Sequence, residues 1–167
     1  PAKTIQDAVV RLGAKSMLNI VMVVTQKQLY ETKSKKYQRW VNPLWSHALG
    51  VAFGARWLAK RLGLDKLAEE GFLGGLLHDI GKLLIINILE DLEKTSTIQR
   101  DISDGVIDDV INIMHCQKGG RLMNHLNIPE VYSQIVLKHH DASLNGDSMI
   151  INRVSMANLS CRKAGIG

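Results

Sequence analysis

A short apolar run rich in glycine, Gly74-Gly75-Leu76-Leu77, ends on a polar pair, His78-Asp79, and is followed by Ile80-Gly81-Lys82. The rest of the chain reads as organised around this stretch. It is helical and otherwise buried, and glycines at 71, 74 and 75 thin its surface so that a neighbouring helix can approach closely, at a cost in helix propensity. An imidazole beside a carboxylate where such a helix runs out fits two readings. One is a hydrogen-bonded structural pair. The other is a shared metal ion, because neutral imidazole nitrogen and carboxylate oxygen both ligate divalent ions such as Zn, Fe, Mn or Ni. Asp79 has two oxygens and can bridge two ions. Lys82 lies within one turn if the helix continues through Gly81, and offers a cation suited to a phosphate oxygen.

Nearly all of the chain has helical spacing, so the expected class is all-α. Ile5, Ala8, Val9 and Leu12 form a first apolar series closed by Gly13. A second helix over about 15–29 is expected to turn Met17, Leu18, Val21, Met22 and Val24 inward. Lys33, Lys35, Lys36 and Arg39, interleaved with Tyr37 and Trp40, read as a solvated basic loop, with nucleic-acid contact as the sharper alternative. Asn42-Pro43 predicts the start of the next helix, with asparagine as cap and proline in the first turn. That helix carries Leu44, Ala48, Val51, Ala52, Ala55, Leu58, Ala59 and Leu62 at i, i+3, i+4, i+7 spacing, with His47 at the edge of its buried face.

Asp65 is placed as the cap of the helix that leads to His78-Asp79. Leu83-Leu84-Ile85-Ile86 reads as helix rather than strand. Residues 91–106 are polar and predict a mobile connection. Beyond it, Ile107, Val110, Ile111 and Met114 form one helix leading to His115, and Gly119, Leu122, Met123 and Leu126 a further one. Pro129 opens a helix that closes on His139-His140-Asp141. Residues 142–148 read as a turn, and a last helix starts at about Met149.

With 167 residues, 46% of them apolar and 22% charged, the chain is long enough for one domain with a full core, taken as residues 1–167. No apolar run is judged long enough to span a bilayer, and no signal-peptide pattern opens the chain, so a cytoplasmic protein without membrane contact is expected. Cys116 and Cys161 form no CxxC pair and no disulfide framework. The first residue is Pro1 rather than Met, so the expectation is a domain cut from, or C-terminal within, a longer signalling protein.

There are six histidines, and five of them, His47, His78, His115, His139 and His140, fall at or near helix borders or ends on four separate helical segments. Side chains from several helices projecting into one cavity are how a bundle builds a metal site. Trp45-Ser46-His47, then Glu70-Gly71-Phe72-Leu73-Gly74-Gly75-Leu76-Leu77-His78-Asp79-Ile80-Gly81-Lys82, then His115 with Gly119, Ile128-Pro129 and His139-His140, resemble an HDOD domain. The opening segment from Ile5 to Gly13 matches as well, so the resemblance covers essentially the whole chain. HDOD domains are the output-domain branch of the HD phosphohydrolase superfamily.

The resemblance implies a multi-helical bundle with a cavity beneath the His-Asp pair. It implies that His47, His78 and Asp79 hold one metal, and that Asp79, His115 and His139 serve a second, as in the HD-GYP relatives. His140 then matches a further ligand and Lys82 a phosphate contact, which makes Asp79 and Lys82 the candidate catalytic residues. Two positions depart from the superfamily pattern. Its last ligand is an aspartate, where this chain has Asn158, able to coordinate through its carbonyl oxygen but without charge. The Gly-Tyr-Pro loop of the HD-GYP enzymes is replaced by Asp141-Ala142-Ser143-Leu144-Asn145-Gly146-Asp147.

The expected function is therefore a signal-transduction output module with little or no catalytic activity. Its partners would be other signalling domains or proteins, or a bound nucleotide. The alternative is a metal-dependent phosphohydrolase acting on a nucleotide or cyclic nucleotide, using Fe, Mn, Zn, Ni or Mg. A scaffold with relic histidines that binds nucleic acid through residues 33–39 is the third reading and the least supported; nucleic acid is not an expected partner.

Overall fold

The computed structural model describes residues 4–95, 97, 101–141 and 148–166. These residues form eight helices and no strand: α1 (Ile5–Leu12), α2 (Ala14–Leu29), α3 (Lys35–Arg61), α4 (Asp65–Leu77), α5 (Ile80–Lys94), α6 (Asp104–His125), α7 (Glu130–Lys138) and α8 (Met149–Lys163). Helix α3 is the hub, packed against α4 and α8; α5 lies along α6, and α6 along α7. Two groups of buried side chains form the core. One is built around Tyr37, Leu76, Ile86 and Ile107, the other around Val51, Ile135 and Val154.

The all-α reading holds, with corrections at several borders. Helix α3 does not start at Asn42-Pro43 but at Lys35, and passes straight through Pro43. Proline inside a helix costs about 3 kcal/mol. The two preceding turns bury Tyr37 and Val41, four residues apart and each 1% exposed. At about 1.5–3 kcal/mol per buried apolar side chain, the two together offset that cost. From Lys35 onward the basic segment is thus the start of a helix rather than a loop, while Lys33 stays before it. Two of its charges are met locally: Lys36 bonds Glu93 and Asp101, while Arg39 pairs with Asp104 and stacks on Trp40.

Helix α6 is one element where two were expected, because Gly119 and Gly120 face packed neighbours instead of ending it. Asp65 is the first residue of α4 rather than its cap, so its carboxylate acts on the helix dipole. The expected inward face of the second helix holds only in part: Met22 packs against the core and Met17 is half-buried. Ile5, Leu12, Leu18, Val21 and Val24 are exposed, and α2 instead buries Asn19 and Gln26, seven residues apart on one stripe. Asn19 is anchored there by Glu69, its Nδ2 donating to the Oε2 at 2.7 Å.

Part of the expected 91–106 connection is helical, since α5 runs to Lys94. The turn expected over 142–148 falls, except for Ser148, outside the described residues. The apolar stretch Asp65–Lys94 is, on length and composition, able to cross a membrane, contrary to the sequence reading. Two-thirds of its most apolar 18-residue window is buried, and it carries His78-Asp79 at its centre, as a core helix pair would.

Candidate metal centre

Two close helix contacts set the distances around the His-Asp pair. Gly75 on α4 lies against α3 at Ala52, where an added Cβ would come within 2.7 Å of the Ala52 backbone. Gly81 on α5 lies against α6, where a Cβ would fall on the carbonyl oxygen of His115. The first contact draws α3 and His47 toward His78. The second draws α6 and His115 toward Asp79. Between Leu77 and Ile80 the chain leaves one helix and enters the next, with His78 still in helical conformation and Asp79 at φ −104°, ψ 14°.

All seven residues expected at the site converge. His47 comes from α3, His78 and Asp79 from the α4–α5 junction, His115 from α6, His139 and His140 from the end of α7, and Asn158 from α8. All are buried except His140, which stands at the opening. His125 is exposed at the end of α6 and takes no part.

The imidazoles are oriented by backbone carbonyls. Nδ1 of His78 lies 2.7 Å from Gly75 O, that of His115 2.8 Å from Ile111 O, and that of His139 3.0 Å from Val136 O. Nδ1 of His47 lies 2.7 Å from Ile166 O. A carbonyl only accepts, so each Nδ1 carries the proton and donates. In the neutral ring each Nε2 is then a bare lone pair, the form in which histidine binds metals. Three of these carbonyls lie one turn back on the same helix. The fourth is delivered by the end of α8, where Gly165 at φ +70° reverses the chain and Ile166 N–H donates back to Cys161 O at 2.9 Å.

The four Nε2 atoms surround the Asp79 carboxylate in two groups. Oδ1 is 3.2 Å from His139 Nε2 and 3.7 Å from His115 Nε2. Oδ2 is 3.3 Å from His78 Nε2 and 3.8 Å from His47 Nε2. Among the described residues neither oxygen has a hydrogen-bond donor in good geometry, although Lys82 Nζ forms an ion pair with Oδ2 at 2.8 Å. Asn158 Oδ1 lies 2.9 Å from His47 Nε2. Lone pairs facing one another in a buried space are costly unless a positive charge lies among them. His47, His78 and Asp79 form one set of ligand atoms within 4.8 Å of one another, and His115, Cys116, His139 and His140 a second. The donor set suits a divalent ion. Bound there, such an ion would lower the pKa of a water and polarise a phosphoryl oxygen.

Electrostatics keep the carboxylate and the imidazoles ready to ligate, while burial first and then the Asp79 charge push the Cys116 thiol up to about 11, so that it must give up its proton to bind an ion. Burial works against the Asp79 charge, but His78 and His139, when they carry a proton, and Lys82 more than offset it, holding the carboxyl well below its usual range. Burial pushes His115 and His139 down, so they tend to be neutral. His140 is pushed to about 3, by burial first and then by its neighbours His139 and His115.

A cavity of about 300 Å³ opens beside the site, lined by Arg39, Trp40, Lys82, His115, His140 and Arg162 among others. Arg162 also lines a second cavity, with His139 and Asn158. Sequence reasoning missed Cys116, Arg162 and the Ile166 carbonyl. Cys116 directly follows a predicted ligand, which was a usable signal. The other two act through the return of α8 across the bundle, and spacing carries no trace of that.

The family model described as HDOD domain matches residues 1–142, stopping short of α8 and Asn158. The chain is 26% identical over 164 residues to an uncharacterized protein of Treponema pallidum (strain Nichols). That match takes in 95% of this chain and 31% of the relative. The crystal structure of an HDOD domain protein of unknown function from Geobacter sulfurreducens superposes with a TM-score of 0.70 at 24% identity. It covers 100% of this chain and 57% of that one. The chain thus spans about a third and somewhat over half of the lengths of these two proteins.

Proposed function

The chain belongs to the HDOD domain family, and from that premise we propose that it works as a signal-transduction output module built on a divalent-metal centre, binding a phosphate-bearing ligand such as a nucleotide with little or no turnover. The observation that carries this reading is the charge of the ligand set. Four imidazole nitrogens surround a single carboxylate, and the position on α8 that could add another is the neutral Asn158. One carboxylate for two candidate ion positions gives weaker binding than an aspartate at 158 would add, and leaves more positive charge on a bound ion, which suits holding an anion. Lys82 and Arg162 at the cavity support a phosphate ligand. The exposed apolar residues of α1 and α2 support an output through protein contact, with other signalling domains or proteins as partners. The free cysteines support a reducing, cytoplasmic setting.

A second reading, a metal-dependent phosphohydrolase, is favoured by one feature. The two oxygens of Asp79 face separate histidine groups, the arrangement that a bridging carboxylate between two ions needs.

The test is elemental analysis of protein purified without chelator or histidine tag and reconstituted with Mn, Fe or Zn, followed by incubation with nucleotides and cyclic nucleotides. The expected result is bound transition metal, lost in Asp79→Ala and kept in His125→Ala, with no phosphoester cleaved. Metal-dependent cleavage would establish the second reading. Absence of metal after reconstitution would overturn the metal centre in both.

A further inference from the structure

The second group of donors contains a residue whose chemistry differs from the rest. Cys116 follows His115 on α6, and its Sγ lies 3.3 Å from His115 Nε2. His140 Nε2 lies 3.0 Å from that same nitrogen. Two potential donors therefore crowd one lone pair, that of His115, whose Nδ1 proton is already committed to Ile111 O. Sγ, the two Nε2 atoms and the ligand nitrogen of His139 all lie within 4.8 Å of one another. They come as two adjacent pairs, 115–116 on α6 and 139–140 at the end of α7. Gly119, held against Val136 and Gly81, fixes how closely those two helices approach.

We infer that Cys116 is a thiolate ligand of this half of the centre, so that it takes a thiophilic divalent ion, zinc above all, in preference to Mn or Mg. The inference rests on the metal reading above and adds a ligand and a selectivity to it. Three features set Cys116 apart from a stray helical thiol. Sγ points at the ring edge that is free to ligate. It is half-buried, in reach of an ion without being sealed off. It also supplies a second negative charge, on the side of Asp79 opposite the His47 group. A thiolate–His set prefers Zn, Co or Fe, whereas hard oxygen sets suit Mn and Mg. On binding, the thiol proton passes to solvent or buffer and the sulfur lone pair goes to the ion; no oxidant or reductant is involved.

Cobalt(II) tests this on the intact chain, since it reports its ligands by absorption. The expected spectrum shows visible d–d bands together with a thiolate-to-cobalt charge-transfer band in the near ultraviolet. In Cys116→Ser the d–d bands should persist and the charge-transfer band vanish, while Cys161→Ser keeps both. Zinc affinity should fall at least roughly tenfold in Cys116→Ser with Mn affinity unchanged. Visible bands without charge transfer in the unaltered protein would overturn the cysteine ligand and leave the metal centre standing. No cobalt spectrum at all would overturn both. If Cys116→Ser does not fold, X-ray absorption of the zinc-loaded unaltered chain decides the matter. A sulfur shell near 2.3 Å supports the inference, and nitrogen and oxygen alone near 2.0–2.1 Å overturn it.

Discussion

Gly81 and His115 touch through their backbones: a side chain on the glycine would occupy the space of the histidine's carbonyl oxygen. The glycine two residues after Asp79 therefore sets how near α6 can bring an imidazole to the carboxylate. Gly81→Ala should push α6 outward. Because the obstruction is backbone rather than a movable side chain, we expect a loss of at least about 2 kcal/mol of stability. Denaturant titration measures it, and elemental analysis of the folded fraction should show reduced metal content. A variant as stable and metal-rich as the parent would show that the contact does not position His115.

The same glycines show how far the sequence can be read. His78-Asp79 and its glycines were legible because glycine in an apolar helix costs stability and marks a close neighbour. Which neighbour it meets was not legible. Nothing in Gly75 names Ala52, and nothing in Gly81 names His115. The break expected at Asn42-Pro43 failed because Tyr37 and Val41 bury enough to carry the helix through proline. The inward face expected for α2 was right at Met22 but not at Leu18, Val21 and Val24, because its fully buried positions are polar, Asn19 and Gln26, and periodicity of apolar residues cannot find them.

Acid should unfold the metal-free domain early. His115, His139 and His140 have lowered pKa values in the fold, so below their ordinary value near 6.5 the unfolded chain binds more protons, and stability falls with pH. The lowered carboxyl of Asp79 acts in the same direction at lower pH: its contribution is present above 3.8 and is lost as pH falls through the folded value. We expect the apo melting temperature to drop by several degrees between about pH 7 and about pH 4.5, where 1 kcal/mol corresponds to roughly 2–4 °C. His140 contributes less than its shift suggests because it is exposed. Calorimetry across that range checks the slope; a flat profile would mean that the imidazoles are protonated in the fold.

Asn158→Asp should move apo and metal-bound stability in opposite directions. Asn158 Oδ1 already lies 2.9 Å from His47 Nε2, so a carboxylate there adds charge without rebuilding the site. Buried near Asp79 without an ion, that charge is uncompensated and should lower apo stability. With an ion present, metal affinity should rise by about tenfold or more, equivalent to about 1.4 kcal/mol. Thermal shifts with and without zinc measure both. If phosphoester cleavage also appears, the missing carboxylate is what separates this domain from a hydrolase. Unchanged affinity would remove Asn158 from the ligand set.

Lys82 answers to two partners, and replacing it tells them apart. Its Nζ lies 2.8 Å from Asp79 Oδ2, and its side chain lines the cavity shared with Arg39 and Arg162. As the counter-ion of Asp79 it competes with a metal for that oxygen; as a cavity cation it holds an anion. Lys82→Met keeps the length of the side chain and removes the charge. Metal affinity should then rise, because the competing cation is gone, while affinity of the metal-loaded domain for inorganic phosphate should fall by about tenfold, the worth of about 1.4 kcal/mol. Competition against a chelator measures the first and calorimetry with phosphate the second. A loss of metal with phosphate affinity unchanged would mean that Lys82 only steadies the carboxylate.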